Sequence, residues 1–242
     1  MHSTLASRFD SLIAGAITPF RAMRLIAKNP ALWRLSIAPI ILSAFLFASL
    51  LGLALFLLRI FAHSSIFAVL SDYSGIVFAI LATLAVIGFT LIAGGFITFF
   101  ISLISSPLND LLAEKTEVTL EVKQVARWNV GRFLRTLWID LRKTVIAFLA
   151  WAVFSLGLFI PVANAIFFCG LALLNTFTYI TYPQSRREQG LSESLQWIIH
   201  HPWKSLGFGL TTSLLFSIPL VNLIALPVSV VGGTLLFLDA EK

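Results

Sequence analysis

The residues with the clearest capacity for chemistry form a short polar run between apolar stretches, from Ser105 to Glu114. Ser106 followed by Pro107 fits an N-cap and a first helical position, and Asn109 is an alternative cap. In either case the first backbone N–H groups of a helix would be free at the edge of a membrane. Such a helix start attracts anions through these donors and through its dipole. The run is therefore a candidate anion site, although most helix starts bind only water.

The composition predicts an integral membrane protein. Of the 242 residues, 58% are hydrophobic and only 12% are charged, against roughly 25% charged in soluble domains. The apolar sequence extends along most of the chain, so we expect one membrane domain over residues 1–242. Cys169 is the only cysteine and has no internal partner for a disulfide. The chain contains no P-loop, GxSxG or HExxH motif, and we expect no enzyme activity, cofactor or metal.

The placement of the basic residues predicts the topology. If each apolar hairpin returns to its starting side, 16 of the 17 lysines and arginines share one face, and Arg59 is the exception. The positive-inside bias makes that face cytoplasmic, with both termini on it. We therefore expect a multi-pass protein of a bacterial inner membrane. Topology already explains the basic charge, so nucleic-acid binding is not expected.

The elements that would position the polar run are all helical. An interfacial helix is expected at the N-terminus, where the weakly amphipathic stretch 9–28 is interrupted by Pro19. The remaining predicted segments are two long spans within 35–104 (35–58 and 76–104), a cytoplasmic helical segment at 105–143, a hairpin at 144–181, a connector at 182–204 and a second hairpin at 205–238.

The two hairpins share an uncharged corner, because Pro-x-x-Asn occurs at Pro161 to Asn164 and again at Pro219 to Asn222. Soluble turns normally carry charge, and unpaired backbone in hydrocarbon costs several kcal/mol per group. The first arm of the second hairpin has about 14 apolar residues, fewer than the roughly 20 that span a bilayer. The sequence leaves two interpretations open, hairpins that enter the membrane only part way and complete spans with tight turns.

Three local patterns give further expectations. A helix over Val130–Val145 should have an apolar face and a basic face, the latter containing Arg132, Arg135, Arg142 and Lys143. The basic face either is solvated, which is the favoured interpretation, or meets an anionic solute or lipid. The acidic residues Glu114, Glu117 and Glu121 should form one solvated helix face. Ser192 is a candidate cap for a short helix that ends before Pro202.

At the polar run the chain resembles a known family. Ser-Pro-Leu-Asn-Asp-Leu-Leu-Ala-Glu at 106–114 is similar to Ala-Pro-Phe-Asn-Gly-Leu-Leu-Ala-Glu of the CysZ sulfate-permease family, which has an etoposide-induced-protein-like membrane domain. The resemblance continues at 179–183, at 218–222 and on to Pro227 and Asp239. It includes the stretch from Pro30 to Pro39, where the first span begins, and so covers most of the chain.

The resemblance implies an oligomer with two long transmembrane helices and two partly penetrating hairpins, which passes sulfate toward cysteine synthesis. It places sulfate at the start of the Gly-Leu-Leu-Ala-Glu helix, beside a basic pair that precedes the first span. Carried over to this sequence, the implied binding residues are Arg34, Ser106, Asn109, Asp110, Leu111, Leu112, Ala113 and Glu114.

Two departures from the family pattern affect the implied site. Asp110 replaces the family's glycine, and Trp33-Arg34 replaces the basic pair, so only Arg34 keeps the charge. Two like charges about 4 Å apart repel by roughly 4 kcal/mol at an effective dielectric constant near 20. That repulsion matches the whole binding free energy of a millimolar ligand, about 4 kcal/mol.

The sequence therefore predicts an all-α integral membrane protein that passes sulfate or a related small anion without nucleotide hydrolysis. Its expected partners are the anion, membrane lipids and further copies of the same chain. A first alternative is a membrane protein that transports nothing and instead binds anionic lipid or organises partner proteins. A second alternative, an intramembrane enzyme, is disfavoured because no paired acid and base lie within the spans.

Overall fold

A computed structural model describes residues 2–62, 75, 80, 105–122, 130–157, 160 and 163–241. Within these ranges the secondary structure consists of eight helices and contains no strand, which confirms the all-α prediction for the described part. The predicted second span, 76–104, lies outside the described residues except for residue 80, and so does Pro161 at the first hairpin corner.

The chain divides into two compact units. One unit contains Met1–Ile41 and Ser105–Lys242, and the other contains Leu42–Ile104. In the second unit the structure describes only the continuation of one long helix and residues 75 and 80. The packing described below belongs to the first unit.

The first two helices meet at a sharp bend. Helix α1 spans His2–Lys28 and helix α2 spans Pro30–Ala62, and the chain turns by 110° between them. The side-chain amide of Asn29 ends α1 by donating a hydrogen bond to the carbonyl of Leu25 at 2.9 Å. Helix α2 has 33 residues and is therefore about 50 Å long.

Pro19 does not interrupt α1, which corrects the sequence-based expectation. The helix continues through the proline, although a proline removes one hydrogen bond to the carbonyl four residues earlier, here Gly15. Packing of α1 against the helices of the second hairpin holds both sides of the proline in place.

The described residues from Ser105 to Gly157 form two helices. Helix α3 covers residues 105–119, and helix α4 spans Val130–Gly157. The predicted helix over Val130–Val145 is confirmed. However, it does not end where the first hairpin was expected to begin, because α4 runs without a break through residue 144 into the apolar sequence.

The first hairpin is formed by α4 and helix α5, Asn164–Arg186. The first of these helices ends at Gly157 and the second begins at Asn164, and the predicted corner at Pro161 lies outside the described residues. Helix α5 extends past the predicted end at 181 and includes Pro183. Its last two turns are buried, so the C-terminal end of α5 belongs to the core of the unit rather than to a polar connector.

The connector contains a short helix, α6, Leu191–His200, which ends before Pro202 as predicted. Ser192 is not its cap. Gly190 occupies that position with an extended backbone (φ −83°, ψ −163°), and the Ser192 hydroxyl instead donates to Glu193 Oε2 at 2.9 Å.

The second hairpin is formed by helix α7, Pro202–Ser217, and helix α8, Pro219–Leu238. Both helices begin with proline, whose fixed φ and missing N–H suit a first helical position. Helix α7 has 16 residues and is about 24 Å long, shorter than a hydrocarbon core of roughly 30 Å. The predicted break at Pro219 is confirmed, and the depth to which the hairpin enters a membrane stays a prediction.

Close backbone contacts join the second hairpin to α1 and to the first hairpin. A Cβ atom added to Gly15 would fall on the carbonyl oxygen of Lys204, and one added to Gly207 would fall on that of Leu12. Gly209 meets the carbonyl of Ala172 in the same way. Small residues that allow such close approach are typical of helix packing in membranes, where hydrophobic burial does not drive association.

By length and composition, one helix among the described residues is able to cross a membrane, Asn164–Arg186. A second candidate appears if the bent pair Leu5–Lys28 and Pro30–Leu42 is counted as one broken span. Both lie among the segments that the sequence analysis assigned to the membrane or to its surface.

Candidate functional site

The run implied as the binding site lies on α3 and is mostly buried. Leu112 and Ala113 have no exposed surface, while Leu111 is about half exposed. Asn109 and Ser106 lie on the buried side with the core residues, as helical spacing of three or four residues requires. Leu112 and Ala113 therefore hold α3 against the rest of the unit, and any contact they make with a ligand is through the backbone.

Neither Ser106 nor Asn109 caps α3. Ser105 is already helical, so both residues lie inside the helix. The beginning of α3 falls at or before Ser105, and residues 101–104 lie outside the described part of the chain. The side chain of Asn109 is also committed elsewhere, because its Nδ2 donates a hydrogen bond to the Tyr182 hydroxyl of α5 at 3.0 Å.

The acidic face of α3 packs on an arginine pair at the end of α5 instead of facing solvent. Arg186 Nη1 lies 3.1 Å from Glu114 Oε2, and Arg187 Nη1 lies 2.7 Å from Glu117 Oε1. The Glu117 side chain is only 4% exposed. The expectation of a solvated acidic face is therefore wrong for Glu117, which two arginines of another helix bury and neutralise. Glu114 pairs with Arg186 and stays 38% exposed.

Asp110, at the position of the family glycine, lies at the edge of this arginine pair. Its Oδ1 is 3.8 Å from Arg186 Nη1, and its backbone carbonyl accepts a hydrogen bond from the same nitrogen at 3.3 Å. Burial raises the pKa of Asp110 to about 7, while Arg186 opposes the shift and Asp140 adds to it. At neutral pH the carboxyl group is consequently close to half protonated.

A second buried polar group lies between α4 and α5. Lys143 is 1% exposed, and its ammonium donates to the Ser185 hydroxyl at 3.2 Å. Among the described residues no carboxylate lies within 4.0 Å of this ammonium. Lys143 was expected on a solvated basic face, and this expectation is wrong because α5 packs over its side of α4. Its neighbour Arg142 is exposed, as predicted.

Asp140 lies one turn before Lys143 on α4 and is 8% exposed. Burial raises the pKa of Asp140 to about 6, with the Ser185 hydroxyl and the Lys143 ammonium opposing the shift. Burial also lowers the pKa of Lys143 to about 8, although Asp140 and Glu193 act against it. Both groups thus titrate much closer to neutrality than they do in water.

Three helices each contribute two of these polar residues, spaced three or four positions apart and so on one helix face. We call this set the polar cluster: Ser105 and Asn109 of α3, Asp140 and Lys143 of α4, and Tyr182 and Ser185 of α5. Its buried Ser105 Oγ, Asn109 Oδ1 and Asp140 Oδ1 have no hydrogen-bond partner. Leaving a buried polar atom unpaired costs about 1–3 kcal/mol, so such atoms indicate a missing partner.

The chemistry available in the polar cluster is that of binding and proton exchange. It combines a buried cation, hydroxyl donors, an amide and a carboxyl group that titrates near neutrality. Among the described residues no group of histidine, cysteine, aspartate and glutamate side chains is arranged to hold a metal ion.

Arg34 is not joined to the polar cluster by any contact of the described residues. It lies near the start of α2, next to Trp33, and is exposed. Of the residues implied by the family resemblance, the structure therefore brings together those of α3, and it adds the arginines and polar residues of α4 and α5.

The sequence analysis missed Asp140, Tyr182 and Ser185 and assigned Lys143 to solvent. One signal was present in the sequence, because Asp140 and Lys143 are three residues apart, as are Tyr182 and Ser185. Each spacing puts two polar side chains on one face of a helix that is otherwise rich in apolar residues.

Comparison with known proteins gives a consistent assignment. Residues 18–227 match the family described as sulfate transporter CysZ/etoposide-induced protein 2.4. The chain is 30% identical over 229 residues to proteins named sulfate transporter CysZ from Pseudomonas paraeruginosa and Pseudomonas aeruginosa, covering 89% of this chain and 91% of theirs. It is 31% identical over 156 residues to the protein of that name from Pseudomonas fluorescens, covering 60% of each. The chain belongs to the family of sulfate transporter CysZ and etoposide-induced protein 2.4.

Proposed function

We propose that this protein passes sulfate or a related small anion across a bacterial inner membrane, without nucleotide hydrolysis, in support of sulfur assimilation and cysteine synthesis. Family membership supports the anion, because relatives that cover most of the chain are named sulfate transporters. The substrate of this chain is the proposal.

The observation that carries the proposal is the incompletely paired ammonium of Lys143. A buried cation is costly unless it is paired, yet this one has a single hydrogen bond, to a neutral hydroxyl. An oxyanion would supply the missing acceptors. The Tyr182 hydroxyl, which accepts from Asn109, is a further donor on α5, and the buried Ser105 hydroxyl of α3 has no partner.

Asp110 is compatible with an anion in this proposal for a reason that the sequence does not reveal. Its pKa of about 7 means that much of its repelling charge is absent at neutral pH, and Arg186 offsets part of the remainder. When protonated, the carboxyl group is itself a hydrogen-bond donor to an oxyanion. Passage should accordingly be favoured on the acid side of neutrality.

The proposed membrane arrangement follows the family and the helix lengths. The hairpins would enter the membrane part way, as the family resemblance implies and as the length of α7, about 24 Å, supports for the second of them. Both termini would face the cytoplasm. Hairpins that end inside hydrocarbon need protein around their tips. We therefore expect a homo-oligomer in which neighbouring copies surround these tips.

Uptake of radiolabelled sulfate into liposomes that contain the purified protein tests this function. Uptake should exceed that of empty vesicles in the absence of nucleotide, and Lys143→Gln should lower it at least tenfold. Glutamine retains a hydrogen-bond donor but removes the charge. Lys115→Gln, a change of a partly exposed lysine on α3, is the matched control and should transport like the wild type. Equal uptake by wild type and empty vesicles would exclude the proposed passage.

The alternative is a membrane protein that transports nothing and binds anionic lipid or organises partners. One observation favours it: α1 carries an exposed apolar stripe together with exposed basic residues. The stripe consists of Leu5, Phe9, Ile13, Ile17 and Phe20. If sulfate uptake is absent while lipid binding is retained, this alternative becomes the better description.

A further inference from the structure

A cavity of about 110 Å³ lies at the elbow where α1 meets α2, closed on its far side by α8. We call it the elbow cavity. Met23, Ile26 and Ala27 line it from α1, Trp33, Ser36 and Ile40 from α2, and Ile224, Pro227 and Val228 from α8. Ala27 is exposed and so marks the side where the cavity opens to the surface.

The lining of the elbow cavity suits hydrocarbon rather than water. Two lining side chains carry a polar group, the indole N–H of Trp33 and the hydroxyl of Ser36, and the hydroxyl donates to the carbonyl of Leu32 in its own helix at 2.8 Å. A buried water needs two to four polar partners, whereas an apolar cavity of about 150 Å³ stays dry and takes up benzene. The elbow cavity therefore matches part of an acyl chain in its chemistry.

Three cations are sequence neighbours of lining residues. Arg24, Lys28 and Arg34 each follow a lining residue directly in the sequence, and all three are exposed. Among the described residues none of them has an ion-pair partner, whereas Arg21, one turn earlier on α1, pairs with Asp239 at 2.6 Å. An anion at this rim would meet three positive charges that the fold leaves uncompensated.

The angle between α1 and α2 would bring the elbow cavity and the three cations to the same depth in a membrane. If α2 enters the bilayer steeply, the 110° turn lays α1 along its surface. The exposed apolar stripe of α1 would then rest among acyl chains, as in other interfacial helices. Basic residues near the elbow would lie at the level of the headgroups, where long cationic side chains snorkel.

We propose that the elbow between α1 and α2 binds one anionic phospholipid, with an acyl chain in the elbow cavity and the phosphate on Arg24, Lys28 and Arg34. The inference requires the chain to lie in a membrane but does not require it to pass sulfate. The complementarity is twofold, hydrocarbon against the apolar lining and negative charge against the cationic rim.

Delipidated protein in detergent, titrated separately with phosphatidylglycerol and with phosphatidylcholine of the same chains, tests the proposal. Native mass spectrometry should show one tightly held phosphatidylglycerol per chain and weaker binding of phosphatidylcholine. Each basic residue near an anionic headgroup contributes about fivefold to affinity. Arg24→Gln with Lys28→Gln should therefore weaken phosphatidylglycerol roughly 25-fold and leave phosphatidylcholine unchanged.

The apolar half of the site has its own variant and control. Ala27→Phe should weaken both lipids about tenfold or more, because the ring occupies the volume of several methylene groups. Ala14→Phe, the same change at another exposed position of α1, should bind lipid like the wild type. For the charges, Arg8→Gln at the far end of α1 should also bind like the wild type.

Three outcomes would overturn the proposal. Equal affinity for the two lipids would remove the role of the cations, and unchanged binding by Ala27→Phe would remove the role of the cavity. Concentration-dependent dimers that form without bound lipid, and that Ala27→Phe disrupts, would show that a second copy covers the elbow. Sulfate uptake is measured separately, so its absence would not affect this result.

Discussion

Replacing Lys143 by methionine should make the protein more stable and less active at the same time. The pKa of Lys143 falls from 10.5 to about 8 on burial, a difference that corresponds to about 3 kcal/mol of destabilisation at pH 7. Methionine removes that cost. The change also takes the cation away from Asp140, and protonating that carboxyl group at pH 7 costs at most about 1 kcal/mol.

The net gain expected for Lys143→Met is therefore about 2 kcal/mol. In a chain of this length that gain raises the midpoint of thermal unfolding by about 4–8 °C. The pH dependence should also change in a defined direction. Because the folded pKa lies below the unfolded one, wild-type stability should rise between about pH 8 and pH 10.5 as Lys143 loses its proton. The variant should lack this rise.

Thermal unfolding in detergent across this pH range, combined with liposome uptake of sulfate, measures both effects. Arg142→Met is the matched control, because Arg142 is the exposed neighbour of Lys143 and lies 5.3 Å from the Trp138 ring centroid. It should change stability little and leave uptake intact. A lower unfolding midpoint for Lys143→Met would refute the cost assigned to burial. A stabilised variant with unchanged uptake would refute the binding role of Lys143.

Further predictions concern the remaining charges, the packing and the topology. Sulfate uptake should rise as pH falls from 8 to 6, and Asp110→Gly should flatten this dependence and raise uptake at pH 8, because the titrating charge near pH 7 is gone. Arg34→Ala should lower sulfate affinity by roughly 1.5–3 kcal/mol if the family's basic ligand operates here; unchanged affinity in calorimetry would leave Lys143 as the cation that binds sulfate and Arg34 as a ligand of the lipid phosphate alone. Gly209→Ala should lower the unfolding midpoint sharply, since its Cβ meets the carbonyl of Ala172. In a Cys169→Ser background, a cysteine at residue 164 should resist an impermeant thiol reagent added outside; rapid labelling would show a complete span.

The hairpin breaks could be predicted because their cause is local. Proline next to uncharged sequence stops a helix where packing does not support it, and the corner at Pro219 separates two helices. Pro19 has the same local chemistry but lies against α7, and tertiary packing keeps that helix intact. Local sequence alone does not distinguish these situations.

The site was less predictable, because its pairs are distant in sequence. Glu117 looks solvated on its own helix, and the arginine that buries it lies 70 positions away. Arg142 and Lys143 differ by 100° around α4, so periodicity places both near the polar face. The docking of α5 then buries only one of them. The polar run and the family resemblance therefore identified α3 as a candidate, while the buried cation required knowledge of which helix lies opposite.

The close backbone contacts between α1 and α7 have a consequence for the order in which the protein assembles. Gly15 of α1 packs against α7, and Gly207 of α7 packs against α1. The ribosome nevertheless adds Gly207 about 190 residues after Gly15. At roughly 5–20 residues per second, α1 waits on the order of 10–40 s for its partner. During that interval no helix is packed on the face of α1 that contains Gly15, whereas the exposed apolar stripe of α1 is already able to contact lipid. The last hairpin to leave the translocation machinery thus closes the first unit, and a chain truncated before α7 should leave α1 accessible to proteases.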